Sequence, residues 1–226
     1  MGLWPIGRTA VTFGLGSNKE NGMDDNFAAS RNFALLAALF EGGLAIVALA
    51  LGWLLNVDPL ESFGADMAAV GIGVTATLPL LLGLWLCLKW PIRPFRKILR
   101  VIDEVLAPLF RRCSLLELAV ISLLAGLGEE MLFRGIVQAA VAGWIAGPQG
   151  PWIALAAAAI VFGLAHSVTF TYAILATLIG FYLGGLWLAT GNLFVPIIVH
   201  ALYDFVALTY LVKLRTPRCP VYVERG

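Results

Sequence analysis

The chain has 226 residues, 60% of them hydrophobic and 13% charged, with a formal net charge of +1 and a mean hydropathy of +0.89. A soluble domain carries about 25% charged residues, so this composition excludes a globular enzyme and indicates an integral membrane protein. No Lys/Arg stripe interleaved with aromatics argues for nucleic acid, and the three scattered cysteines (Cys87, Cys113, Cys219) supply neither a disulfide framework nor a Cys-based metal site.

Residues 1–32 lack the apolar stretch of a cleavable signal peptide. They are read as an N-terminal arm, with the first span serving as its own signal. Apolar runs of about 20 residues mark transmembrane helices. They fall at 33–55, 67–89, 114–146, 152–170, 171–190 and 193–212, which predicts an all-α polytopic bundle of about six transmembrane helices. The third run is too long for one simple crossing, and "AGLG" at 125–128 is the expected place for a break or bend. Between the second and third runs, Ile98, Leu99, Ile102, Val105 and Leu106 recur at helical spacing among charges. That pattern predicts an amphipathic helix at the membrane interface. Gly180 and Gly184 form a GxxxG, read as a close helix–helix contact. The chain thus divides into the arm 1–32, two spans with the interfacial helix (33–113), a region 114–212 and a tail 213–226.

Seven of the fifteen Lys and Arg residues lie in 89–112, and the rest but one lie in the arm and the tail. The loop 56–66 has none and carries Asp58, Glu61 and Asp66. With six crossings every basic segment falls on one side, which predicts that both termini are cytoplasmic.

The basic residue left over is Arg134, inside an apolar run. Around it the intramembrane polar set is Glu129, Glu130, His166, His200 and Asp204, with Glu41 in the first span and Glu117 near the start of the third. A charged group at a helix centre costs about 2.5–3.5 kcal/mol on insertion scales, so such residues face the protein interior and act there. Taken alone, Glu41 is expected to be a satisfied packing residue, Glu117 a headgroup-level structural one, and either His a hydrogen-bonded core residue. The other six are paired by spacing. Glu130 and Arg134 are four apart and can neutralise each other. His200 and Asp204 are also four apart, so the carboxylate can orient the imidazole. Glu129 has no local partner and is a candidate general base or acid.

Helix rise places Glu129 about 22 Å and His200 about 20 Å from the inner face of a roughly 30 Å core. His166, counted from Trp152, falls only about 9 Å from that face. Six straight rods do not bring the three together. A bend at 125–128 or a tilted, extended fourth span is expected.

"EEMLFRG" (Glu129–Gly135) has the form EExxFRG, "FGLAH" (Phe162–His166) the form FxxxH, and "HALYD" (His200–Asp204) the form HxxxN or HxxxD. In this order they resemble the motifs of the CPBP intramembrane proteases, the family of CAAX prenyl endopeptidases and bacterial Abi proteins. The resemblance covers about residues 114–212 and implies a glutamate-dependent endopeptidase within the bilayer. Carried over, it implies that Glu129 and His166 activate a water and that His200 and residue 204 stabilise the oxyanion. Glu130, Arg134 and Phe162 would support the site. The chain departs from the commoner pattern at Asp204, where an Asn would donate and an ionised Asp only accepts.

The resemblance implies no cofactor. Glu129, His166 and His200 are nevertheless a set zinc accepts, with a fourth position open for water, although the HExxH spacing is absent. The expected partners are the bilayer and a membrane-associated protein or peptide substrate, lipidated or not. A non-proteolytic immunity or scaffold protein that keeps the site is the alternative. A proton pathway is a third reading, opposed by the clustering of the polar groups at one level.

Overall fold

In the computed structural model, residues 18–90 and 92–215 are described, with side chains from residue 32 onward. All regular structure among them is helical: α1 (Asn18–Leu55), α2 (Met67–Lys89), α3 (Arg93–Val101), α4 (Ala107–Phe110), α5 (Leu115–Glu130), α6 (Ala139–Trp144), α7 (Gly150–Ala165), α8 (Phe170–Thr190) and α9 (Phe194–Leu208). Three π-helical segments, Ile102–Leu106, Met131–Gln138 and Thr209–Leu214, continue α3 into α4, α5 into α6, and extend α9.

The protein is a helical membrane bundle. Four helices are long and apolar enough to cross a bilayer: Asn32–Leu55, Met67–Lys89, Phe170–Thr190 and Phe194–Leu214. The helical stretch from Leu115 to Trp144 and the shorter apolar α7 complete it. Burial is inverted relative to a soluble protein. Leu36, Phe40, Ile46, Trp53 and Leu78 are exposed, whereas Glu129, Glu130, Arg134, Gln138 and His200 are buried. Lipid tails solvate the outer apolar surface, so no hydrophobic force draws the helices together. Close packing of small residues and polar contacts does so instead.

α5 starts where Ser114 caps it. The Glu117 backbone N–H donates to Ser114 Oγ, and the Ser114 N–H donates to Glu117 Oε2 at 2.7 Å. This capping box satisfies two end groups and gives Glu117 the structural role expected of it.

The expected bend at 125–128 is not there. α5 runs unbroken through those residues. Its glycines serve packing: a Cβ on Gly126 would meet the Ile197 carbonyl and the Ala201 nitrogen of α9 at 2.9 Å, and one on Gly128 would collide with the Glu41 carbonyl of α1. α5 is therefore wedged between α1 and α9. The irregularity comes three residues later, where the π segment opens directly after Glu130, a feature common at functional sites.

The fourth and fifth runs also divide differently from the expected 152–170 and 171–190. α7 ends at Ala165, residues 166–169 form a turn, and α8 begins at Phe170. His166 is thus the C-cap of α7 and not a mid-span residue. Glu129 precedes Trp144 by 15 residues and His166 follows Gly150 by 16, so both lie about 22–24 Å of helix rise from the turn at 145–149. Matched arms bring the two to one level, which counting from Trp152 missed.

Gly180 and Gly184 do make a helix–helix contact. A Cβ on Gly180 would lie 3.0 Å from Ala159 of α7, and one on Gly184 would lie 2.6 Å from Gln138 and Leu155. The loop 56–66 is tied to the α8–α9 turn: Asn192 accepts from the Gly64 N–H at 3.0 Å and donates to the Gly64 carbonyl at 2.7 Å. The amphipathic segment forms as α3, a π turn and α4, anchored to the end of α9 by the Asp103–Arg215 ion pair. Of the arm and tail, only 18–32 and 213–215 are described, the arm already helical from Asn18, while Cys219 lies outside the described residues. Cys87 and Cys113 are free.

Candidate active site

Three helix ends or turns deliver the polar residues to one place: the end of α5, the end of α7 and the middle of α9. The deepest element is Glu130, fully buried, whose Oε1 accepts from Arg134 Nη1 at 2.8 Å and from His200 Nδ1 at 2.7 Å. An ionised carboxylate only accepts, so Nδ1 of His200 carries the hydrogen. Arg134, also buried, donates its Nη2 to the Gly180 carbonyl at 2.9 Å and lies over the Phe162 ring at 4.9 Å. Its charge is thus compensated on three sides, as a buried guanidinium requires.

Phe162 organises the aromatic side. Its ring stacks on His166 with centroids 4.4 Å apart, meets His200 edge-on at 6.0 Å and Phe133 at 5.0 Å. The Phe162 carbonyl lies 2.8 Å from His166 Nδ1. A carbonyl cannot donate, so Nδ1 carries the hydrogen here too, and whenever the ring is neutral Nε2 is left as an acceptor. That nitrogen faces Glu129 Oε2 at 3.4 Å. Glu129 is buried, and Oε2 has no hydrogen-bond partner among the described residues.

His200 Nε2 faces Asp204 Oδ2 at 3.5 Å, longer than a good hydrogen bond. Glu130 holds the same ring 0.8 Å closer, through its other nitrogen. Asp204 and His166 are the open members of the cluster, with side chains 32% and 25% exposed, against 7% for His200. The seven residues proposed for the site meet here: each ionisable one lies within 3.5 Å of another, and the Phe162 ring bridges the Glu129–His166 pair to His200.

Two residues read otherwise belong to the same neighbourhood. Glu41, expected to be satisfied, is not: Oε2 is buried without a hydrogen-bond partner among the described residues. Its signal was in the sequence, since no Lys, Arg or His stands within four residues of it. Gln138 was not singled out. One turn beyond Arg134, it donates to the Gly184 carbonyl at 3.3 Å, repeating the Arg134–Gly180 contact one turn along α8. No group of three or more His, Cys, Asp or Glu among the described residues is arranged to hold a metal ion. Glu129 and His166 face each other, while both ring nitrogens of His200 face other carboxylates.

Residues 111–206, which contain this whole cluster except Glu41, match the family model described as type II CAAX prenyl endopeptidase Rce1-like. The chain belongs to this family. Over 147 residues it is 30% identical to the uncharacterized protein YpbD of Bacillus subtilis (strain 168), covering 62% of this chain and 68% of YpbD. No solved structure matches the chain. Membership in the Rce1-like family makes the protein a membrane peptidase. α1 and α2 lie outside the segment that the Rce1-like model matches, so Glu41 is supplied by a part of the chain which that likeness does not cover.

Proposed function

We propose that the protein is a glutamate-dependent intramembrane endopeptidase that cleaves a peptide bond of a membrane-associated protein or peptide. The observation that carries this reading is the pair Glu129 Oε2 and His166 Nε2, which face each other across 3.4 Å and, with the imidazole neutral, are both acceptors. Two acceptors repel unless something donates to both, and a water at the apex, one O–H to each, satisfies them. Such a water is oriented with its lone pairs outward, ready to attack a carbonyl carbon.

As the water oxygen bonds to the scissile carbon, Glu129 takes one of its protons. The carbonyl π electrons move to the oxygen. When the C–N bond breaks, Glu129 returns the proton to the leaving nitrogen and the oxygen electrons re-form the carbonyl. His166 holds the water and shares its second hydrogen. The oxyanion is stabilised from the α9 side by His200 in its imidazolium form, whose Nδ1–H is held by Glu130 while Nε2–H donates to the oxyanion, and by Asp204 when protonated. A preorganised donor of this kind is worth about 3 kcal/mol in the transition state. Arg134 and Phe162 position Glu130 and His166 and do not meet substrate. In the orientation proposed here, both termini and the α3–α4 segment face the cytoplasm, and the catalytic part is 114–212.

The test is cleavage of a peptide library by the purified protein in lipid nanodiscs, alongside Glu129→Ala and His200→Ala. Cleavage by the wild type and its loss in both folded variants is expected. Retained proteolysis in either variant would refute the assignment.

A further inference from the structure

Every acid of the polar cluster but one has a basic side chain opposite it. Glu129 faces His166, Glu130 pairs with Arg134, and Asp204 faces His200. Glu41 has no such partner among the described residues, and its Oε2 is buried without a hydrogen bond. The ionisable groups around it are Glu129 of α5, Asp204 and His200 of α9, and His166 at the end of α7. Its position is set by close packing, because Gly128, immediately before Glu129, is the residue that lets the Glu41 carbonyl approach α5. Glu41 therefore enters the cluster from α1, a fourth direction. It stands in mid-span, nine residues from Asn32 and fourteen from Leu55. A carboxylate kept there with no partner of its own is expected to serve a function.

We propose that Glu41 reads a cationic side chain of the substrate, a lysine or arginine near the cleaved bond. This rests on the endopeptidase reading above and deepens it by naming a substrate class. A water alone would satisfy Oε2 but leave the charge unmatched; a substrate ammonium or guanidinium supplies both the hydrogen bond and the missing countercharge. The neighbouring basic groups cannot serve, since Arg134 is committed to Glu130 and each histidine already faces a carboxylate.

The test uses the full chain in nanodiscs and matched peptides that carry Lys, Gln or Glu at each position flanking the cleaved bond. At one or more positions, Lys peptides should exceed Gln peptides in kcat/KM by about 10- to 100-fold, the range of a charge-assisted hydrogen bond. The difference should lie in KM more than in kcat. In Glu41→Gln the Lys-over-Gln ratio should fall to near one, and in Glu41→Asp the preference should keep its sign. A wild type that cleaves without any Lys preference overturns this proposal alone. So does a Glu41→Gln protein that keeps the ratio, or one that loses Lys and Gln peptides equally. A wild type that cleaves no peptide overturns the endopeptidase reading and this proposal with it.

Discussion

Glu130 Oε1 and His200 Nδ1 lie 2.7 Å apart, joined across seventy residues of chain in the driest part of the molecule. The same oxygen takes Arg134 at 2.8 Å, so one carboxylate ties the π segment, α9 and α8 together. Replacing it leaves a buried guanidinium without countercharge, which costs about 3–5 kcal/mol. Glu130→Gln is therefore expected to lower the denaturation midpoint in detergent as well as cleavage. A variant of wild-type stability that has merely lost activity would show that Glu130 acts on the substrate and not as an anchor.

Glu129→Gln should behave in the opposite way. Glu129 anchors nothing, and the amide keeps its shape. Stability should stay near that of the wild type while cleavage falls by about 10²–10⁴-fold, the usual weight of a positioned general base. Parallel melting and single-turnover assays measure both.

Asp204→Asn is expected to keep or raise the cleavage rate, since an amide donates to an oxyanion whatever its surroundings. Asp204→Ala should lose about 10²–10³-fold. A sharp loss in the Asn variant would mean that the negative charge opposite His200 Nε2 matters, and would move Asp204 from oxyanion donor to partner of His200.

Gly128→Val should separate α1 from α5, because any Cβ there meets the Glu41 carbonyl. Overpacking of this kind costs about 1–3 kcal/mol. Cleavage should fall with stability, since Glu129 is the next residue. Gly43, beside which a Cβ meets nothing within 4 Å, provides the control: Gly43→Ala should change neither.

No clustered ligand set for a metal ion lies among the described residues, so cleavage is expected to proceed at an unchanged rate after dialysis against a chelator. Activity lost on chelation and restored by zinc would reassign the chemistry.

The sequence alone carried the membrane class and the helical architecture, and it named the candidate site residues that the helices bring together. Each was legible for a local reason. Lipid demands long apolar runs, so α1, α2 and α8 announce themselves, and an ionisable group in such a run stands out because it is expensive. The i, i+4 pairing of Glu130 with Arg134 followed from helix geometry, and the structure keeps it. Periodicity could not say where irregular backbone sits. A glycine pair reads as a break, yet Gly126 and Gly128 continue α5 and admit its neighbours, while the π segment begins beyond both, at Met131.

Which groups face one another across helices was decided by the tertiary structure. The spacing of His200 and Asp204 suggested that these two hold each other, yet the closer hold on the ring comes from Glu130, seventy residues away. His166 reaches the level of Glu129 because the helical stretch from Glu129 to Trp144 and α7 hang by matched lengths from one turn, a property of the two arms together and not of either. Glu41 looked like packing until α1 was seen to lean on Gly128 and bring it among the catalytic candidates. Composition and spacing report what each helix must do alone, to sit in lipid and to pair its own neighbours. The partner of a buried charge is chosen only when helices meet, because in hydrocarbon that charge takes the nearest counter-group wherever in the chain it arose.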